Sequence, residues 1–406
     1  MLSDDAIDNL VQPIVSRQED ISNYVIEVIA ERVKDVGTLL PSDLYKLELL
    51  VSRGADIRKI NQTLASLIGI QVKDIKALIK TVALENYISA KPFYDYRHKA
   101  YIPFEKNTEL QNLVKSIGDR TAETYVNLSQ TSATGFMISD PRNPTQLVFK
   151  PIEDTYNTVI DKAIQAVQNN VVSFETATRR AIKELADSGI RTMYYPSGYT
   201  RRLDSAVRMN IMSGVNAINA GVQAEIGRQI DADGVELSAH INSAPDHEPF
   251  QGHVFTIEQY NRLQSNMDFD DIKQNHFAGV DRIIGEWNCR HYPIYVVLAT
   301  HKPRYSVETL EKYKQRNADG ITLPNGKHLT LYECTQIQRR LETQIRHAKD
   351  AQIAFRHAEN REEALIYQRK VSLLIERLKS FSAYAGLVVK RNRIAVNGYR
   401  VLKDDI

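Results

Sequence analysis

Along most of this chain apolar residues recur at the three-to-four-residue spacing of a helix. That rhythm fails in one long stretch, between Gly234 and Thr330, where short β-type runs alternate with Pro- and Gly-containing turns. Such a chain must bury helix faces against one another and house a small strand-bearing unit among them, so the expected fold class is α+β. Residues 1–92 read as an N-terminal helical domain, in which Ile21, Val25, Val28, Ile29 and Val33 share one face. Ser3 is a candidate N-cap, followed by acidic residues that suit the helix dipole. Beyond it, punctuation divides residues 40–87 into several short helices, with Ser42 as cap, Gly54 as stop and Asp56 as the next start.

Residues 93–194 read as a linker and helical region. "KPFYDYRHKAYIPFEKN" is aromatic and bounded by prolines, which predicts a loop. "DPRNPTQLVFKP" predicts a turn and a short strand from Gln146 to Phe149, and residues 152–190 return to helix. Residues 195–330 form the small α+β domain, entered by a long helix over about 200–230. In it "VELSAH", "HVFTIEQY" and "CRHYPIYVVLA" read as strands, and "ITLPNGKHLTL" as a hairpin turning at Asn325-Gly326. Residues 331–406 hold an antiparallel helix pair turning near Asn360, then a basic tail.

Composition bounds the function classes. In 406 residues, 43% hydrophobic and 25% charged with a net charge of +2, nothing demands nucleic acid or an anionic membrane as partner. No run of eighteen apolar residues predicts a transmembrane helix, and the acidic start is unlike a signal peptide. Two cysteines, Cys289 and Cys334, make no disulfide framework, which predicts folding in a reducing cytoplasm.

The chemistry-bearing residues cluster. "GEWNCRHYPIYVV" holds Trp287, the one tryptophan, and six of the ten histidines lie between 240 and 301: His240, His247, His253, His276, His291 and His301. His240, His247, Cys289 and His291 are candidate nitrogen and sulfur ligands for zinc, and on a strand Cys289 and His291 would face the same side. The C-x-H spacing is a weak metal signal. It favours instead a buried polar knot, in which Asn288, Arg290 and the histidines bond loop backbone that strands leave unpaired. A catalytic reading pairs Cys289 with a histidine, or uses a metal-held water, with Asp246, Glu248 or Glu286 as acid or base. No phosphate loop or nucleophile elbow accompanies it, so no residue is assigned as catalytic.

Read in order, "SAHINSAPDHEPFQGHVFT", a spacer and "GEWNCRHYPIYV" resemble the phage minor capsid protein 2 family and, more distantly, the Mu F-like head morphogenesis proteins. His240, Pro245, His247, Gln251 and Gly252 stand at the first half of the motif. Trp287, Asn288, Cys289, Arg290 and His291 stand at the second. Ala244 and Phe250 replace the family's usual arginine and tryptophan. Upstream, "TRRLDSAVRMNIMSGVNAINAGVQAE" is similar to the family's "R-x-N…G-V-N" helix, with Arg202, Arg208 and Asn210 at its places. The resemblance is closest over residues 195–315 and does not reach residues 1–90. It implies a minor structural protein of a tailed-phage head, carried in the virion in the capsid interior near the portal. That protein would act in head assembly and DNA packaging or ejection by binding, not as an enzyme. The implied partners are the portal protein, the major capsid protein and packaged double-stranded DNA, without a membrane and without a required cofactor. The alternative is a metal-dependent hydrolase or toxin-like effector carried in the head.

Arg339, Arg340, Arg346 and Lys349 are interspersed with Glu342, Glu359, Glu362, Glu363 and Glu376, the pattern of a solvated helix face. Lys390, Arg391 and Arg393 in "VVKRNR" are the better candidates for contact with DNA phosphates or the portal. The twenty tyrosines, clustered in "YDYRHKAY" and "MYYPSGY", suit either protein interfaces or loop packing.

Overall fold

In a computed structural model of the chain the described residues are 4–36, 43–130, 132–140, 142–168, 174–193, 199–270, 275–280, 282–285 and 289–403. Two long helices open it, α1 (Asp4–Val36) and α2 (Asp43–Ile88). The several short helices expected over 40–87 are therefore one. Gly54 costs a helix only about 1 kcal/mol, and burial of Ile60, Leu64, Ile75, Ile79 and Val82 along one face outweighs it. Asp56 starts nothing. Its carboxylate accepts from Arg32 Nε at 2.9 Å and from the Tyr156 hydroxyl at 2.6 Å. The candidate caps Ser3 and Ser42 lie outside the described residues.

The expected loop after α2 is ordered by its aromatics. It contains α3 (Lys91–Tyr96) and a short 3-10 turn at Phe104–Lys106. Tyr101 stacks on Tyr87 at 5.1 Å and meets Tyr94 edge-on at 5.2 Å. Asn107 then caps α4 (Thr108–Ser129) by accepting from the Leu110 amide.

A four-stranded antiparallel sheet follows, only part of which was expected. β1 (Thr134–Asp140) and β2 (Asn143–Pro151) form a hairpin that contains the predicted strand. β3 (Arg191–Thr192) and β4 (Arg201–Arg202), two residues each, are too short for periodicity to betray. The order is β2-β1-β3-β4, and α5 (Ile152–Gln168) and α6 (Phe174–Ser188) connect β2 to β3. α7 (Leu203–Gln229) matches its expectation closely.

The second sheet is three-stranded and antiparallel in the order β6-β5-β9, with β5 at Gly234–Leu237, β6 at Val254–Thr256 and β9 at Pro293–Val296. All three predicted strands were too long. "VELSAH" leaves the sheet after Leu237. "HVFTIEQY" turns into α8 (Ile257–Gln264), because Thr256 and Gln259 form a reciprocal capping box. Cys289 to Tyr292 precede β9, so no shared strand face aligns Cys289 with His291. The pair β7 (Phe269–Asp270) and β8 (His276–Phe277) lies between β6 and β9. After β9 come α9 (Val307–Asp319) and the expected hairpin of β10 (Ile321–Thr322) and β11 (His328–Leu329). The helix pair is α10 (Leu331–His357) and α11 (Arg361–Tyr384), with Asn360 capping α11.

The fold is α+β. One hydrophobic core takes Val25 from α1, Ile79 from α2, Val215 from α7, Phe355 from α10 and Leu378 from α11. A second gathers Val235, Leu237, Phe255, Leu263, Phe269, Phe277 and Cys289 around the three-stranded sheet. α7 belongs to the first and also packs on β9 of the second. Among the described residues no helix is long and apolar enough to cross a membrane.

Candidate functional site

Strand pairing brings the two halves of the motif together. Leu237 at the end of β5 pairs with Pro293 at the start of β9, so the segment leaving β5 and the segment entering β9 sit at one sheet end. The Ser238 amide donating to the Tyr292 carbonyl extends that junction. Pro245 opens a turn in which the His247 and Glu248 amides both donate to the Ala244 carbonyl. This turn carries His247 inward. Gly252 closes the loop at φ +71°, where a Cβ would also stand 2.4 Å from Leu310 Cδ2.

Three side chains converge. His247 Nδ1 lies 3.2 Å from Cys289 Sγ, and His291 Nδ1 lies 3.4 Å from the same sulfur. All three residues are at most 4% exposed. His240 stands beside them, its ring stacked on that of His291 at 4.4 Å. Gln251 links the pieces: its Oε1 accepts from the His240 amide at 2.9 Å and lies 3.3 Å from His291 Nε2. Burial, with the neighbouring His240 and His247, pushes His291 down to about 2, and burial also lowers His247. Burial pushes the Cys289 thiol up. Both imidazoles are thus neutral at physiological pH. Trp287, Asn288 and Glu286 lie outside the described residues.

A family model described as phage minor capsid protein 2 matches residues 2–383. The chain belongs to the phage minor capsid protein 2 family. The match takes in the N-terminal helices, which the sequence resemblance did not reach. No curated protein and no solved structure gives a match. As a phage minor capsid protein it is a structural component of the virion and interacts with other virion components.

In this minor capsid protein the helix part of the motif is scaffold. Arg202 lies between Asp204 at 3.2 Å and Asp350 at 2.9 Å, all three buried. Arg208 pairs with Asp8, and Asn210 Nδ2 donates to the Thr121 carbonyl on α4 at 2.9 Å. The residue that reaches the site from α7 is Asn216, whose amide donates to the carbonyls of Gly285 at 2.9 Å and Cys289 at 2.7 Å. Its signal was present in the sequence, as the asparagine of "G-V-N". Arg282 holds Asp246 through two bonds of 2.9 and 2.8 Å, and Asn317 donates to Glu248 at 2.8 Å. Of the proposed acids, Asp246 and Glu248 are therefore engaged.

The basic residues are turned inward more than their spacing suggested. On α10, Arg346 donates to the Arg393 carbonyl at 2.7 Å and Lys349 to the Ile394 carbonyl at 2.5 Å, with Glu342 buried beside them. The expected solvated face is kept by Arg340 on α10 and by α11, where Glu362 and Glu376 are exposed. Lys390 and Arg393 both pair with Asp8, at 2.6 and 3.0 Å, while Arg391 is exposed. A cavity of about 390 Å³ results, lined by Arg201, Arg208, Arg290, Arg339, Arg346 and Arg393 against Asp8, Asp204 and Glu342. Burial and the charges of Arg290 and Arg393 push Arg339 down to about 10. These residues come from distant segments, so no linear charge pattern announces them.

Proposed function

We propose that this minor capsid protein enters the head in few copies, in the capsid interior beside the portal protein, and acts in head assembly and DNA packaging or ejection by binding. The observation that carries this is the extent of the family match, residues 2–383, which takes in both the helical body and the small sheet. A partner-facing surface supports it: Ile366, Leu373 and Tyr384 lie on one side of α11 at 45%, 67% and 60% exposure. Binding in place of catalysis is supported by the engaged carboxylates and by a thiol whose burial opposes the nucleophilic thiolate. Contact with packaged DNA would fall to Arg391, since Asp8 engages Lys390 and Arg393. Such a contact is weak, non-specific and salt-sensitive.

The test is quantitative mass spectrometry of gradient-purified virions. A few copies per particle, retained through salt washes and lost when the portal protein is omitted from assembly, is the expected result. Leu373→Asp should lower the copy number without lowering the melting temperature. Absence from particles, or incorporation indifferent to the portal, overturns the reading.

A further inference from the structure

His247, Cys289 and His291 each offer one ligand atom within 4.8 Å of the other two, all buried. The hydrogen-bond network fixes which ring nitrogens carry protons. His247 Nε2 lies 2.7 Å from the Arg282 carbonyl, which only accepts, so Nε2 is the protonated nitrogen and Nδ1 keeps its lone pair. Gln251 Oε1 is fixed as an acceptor by the His240 amide, and Ser243 Oγ gives its proton to the Ala244 carbonyl. His291 Nε2, 3.3 and 3.4 Å from these two oxygens, is therefore the donor, and His291 Nδ1 also keeps its lone pair. Two imidazole lone pairs therefore aim at one sulfur. A neutral thiol has a single proton and satisfies one of them.

The sulfur itself sits as an acceptor. The backbone amide of His291 donates to it at 3.4 Å. Distances agree with a metal centre. With Zn–N near 2.0–2.1 Å and Zn–S near 2.3 Å, tetrahedral geometry places adjacent nitrogen and sulfur ligands about 3.6 Å apart. The two N–S separations here are 3.2 and 3.4 Å. The outer contacts are those that orient histidine ligands, a carbonyl on one ring and a side-chain amide on the other. A cavity of about 150 Å³ adjoins the three, lined also by His240, Asn242, Tyr332 and Arg339.

We propose that His247 Nδ1, His291 Nδ1 and Cys289 Sγ bind one divalent transition-metal ion, zinc by the chemistry of the donors, with a water from the adjoining cavity as fourth ligand. Binding breaks the Cys289 S–H bond, the proton leaves to solvent and the sulfur electron pair passes to the metal. His240 is not a ligand and serves as the stacked neighbour of His291. The ion would pin the loop after β5 to the segment before β9, completing what the Leu237–Pro293 pairing begins.

The full chain, purified under reducing conditions, should contain one zinc per molecule by elemental mass spectrometry. Chelation should lower its melting temperature, because metal binding is linked to folding. Replacement by Co²⁺ should give tetrahedral d–d bands together with a thiolate-to-cobalt charge-transfer band. Cys289→Ser should lose that band and most of the bound metal, while His240→Phe keeps both. If Cys289→Ser does not fold, the wild-type cobalt spectrum decides. A chain that takes up neither zinc nor cobalt overturns the proposal. So does a cobalt spectrum without the thiolate band, or a folded Cys289→Ser with undiminished metal.

Discussion

Asn216 gives both hydrogens of its side-chain amide to carbonyls of the segment that carries Cys289. Asn216→Leu leaves those two acceptors without their donor. Each buried orphan costs about 1–3 kcal/mol, so urea unfolding should show a loss on that order. A second residue-scale effect concerns pH. Burial, with the Arg202 charge, pushes His347 down to about 3, whereas an unfolded histidine titrates near 6.5. Between those values the unfolded chain binds the extra proton. The stability is therefore full above about pH 6.5 and declines as pH falls toward 3, by at most about 1.4 kcal/mol per unit. The urea midpoint should drop between about pH 7.5 and about 5.5, and His347→Gln should flatten that drop. An unchanged slope in the variant would refute the assignment.

At the scale of elements, α7 is the part on which the rest is hung, and its glycine explains how closely. A Cβ on Gly214 would stand 2.4 Å from Thr121 Oγ1 on α4. The Asn210–Thr121 hydrogen bond lies one turn away on the same contact. In sequence a glycine inside a helix is only a local cost of about 1 kcal/mol, but here it permits two helices to touch. Gly214→Val should push α4 off α7 and destabilise by about 1–3 kcal/mol or more, read as a lower denaturation midpoint. α10 and α11 teach a related lesson. Their charge patterns look alike, yet α10 lies against α1, α6 and α11 and turns Glu342, Lys349 and Asp350 inward. Spacing tells which residues share a face, not how many faces a helix must cover.

Across the whole molecule, Asp8 connects the two ends of the chain. It accepts from Arg208 on α7 and from Lys390 and Arg393 in the tail. Burial opposes its ionisation, but the Lys390 hydrogen bond and the Arg208 and Arg393 charges outweigh that and hold the carboxyl well below the usual carboxylate range. Asp8→Ala leaves three cations facing one another and should cost about 3 kcal/mol or more. Limited proteolysis should then cut the tail beyond residue 386 faster than in the wild type, and equal rates would show that the tail is held by something else.

Local chemistry determined a good deal of this protein from sequence alone. The α+β class, α7, the hairpin at Asn325-Gly326 and the helix pair turning at Asn360 follow from periodicity, caps and turn residues that act within a few positions. The order of the motif residues was legible too, and with it the family. Other features depend on partners far away in sequence. Burial joined residues 43–88 into one helix despite Gly54, and pairing made strands of Arg191–Thr192 and Arg201–Arg202. The β5–β9 register brought His247, Cys289 and His291 to a common point and left His240 stacked beside them. No residue in either segment encodes that meeting by itself, because the distance between two loops is set by the sheet that carries them both.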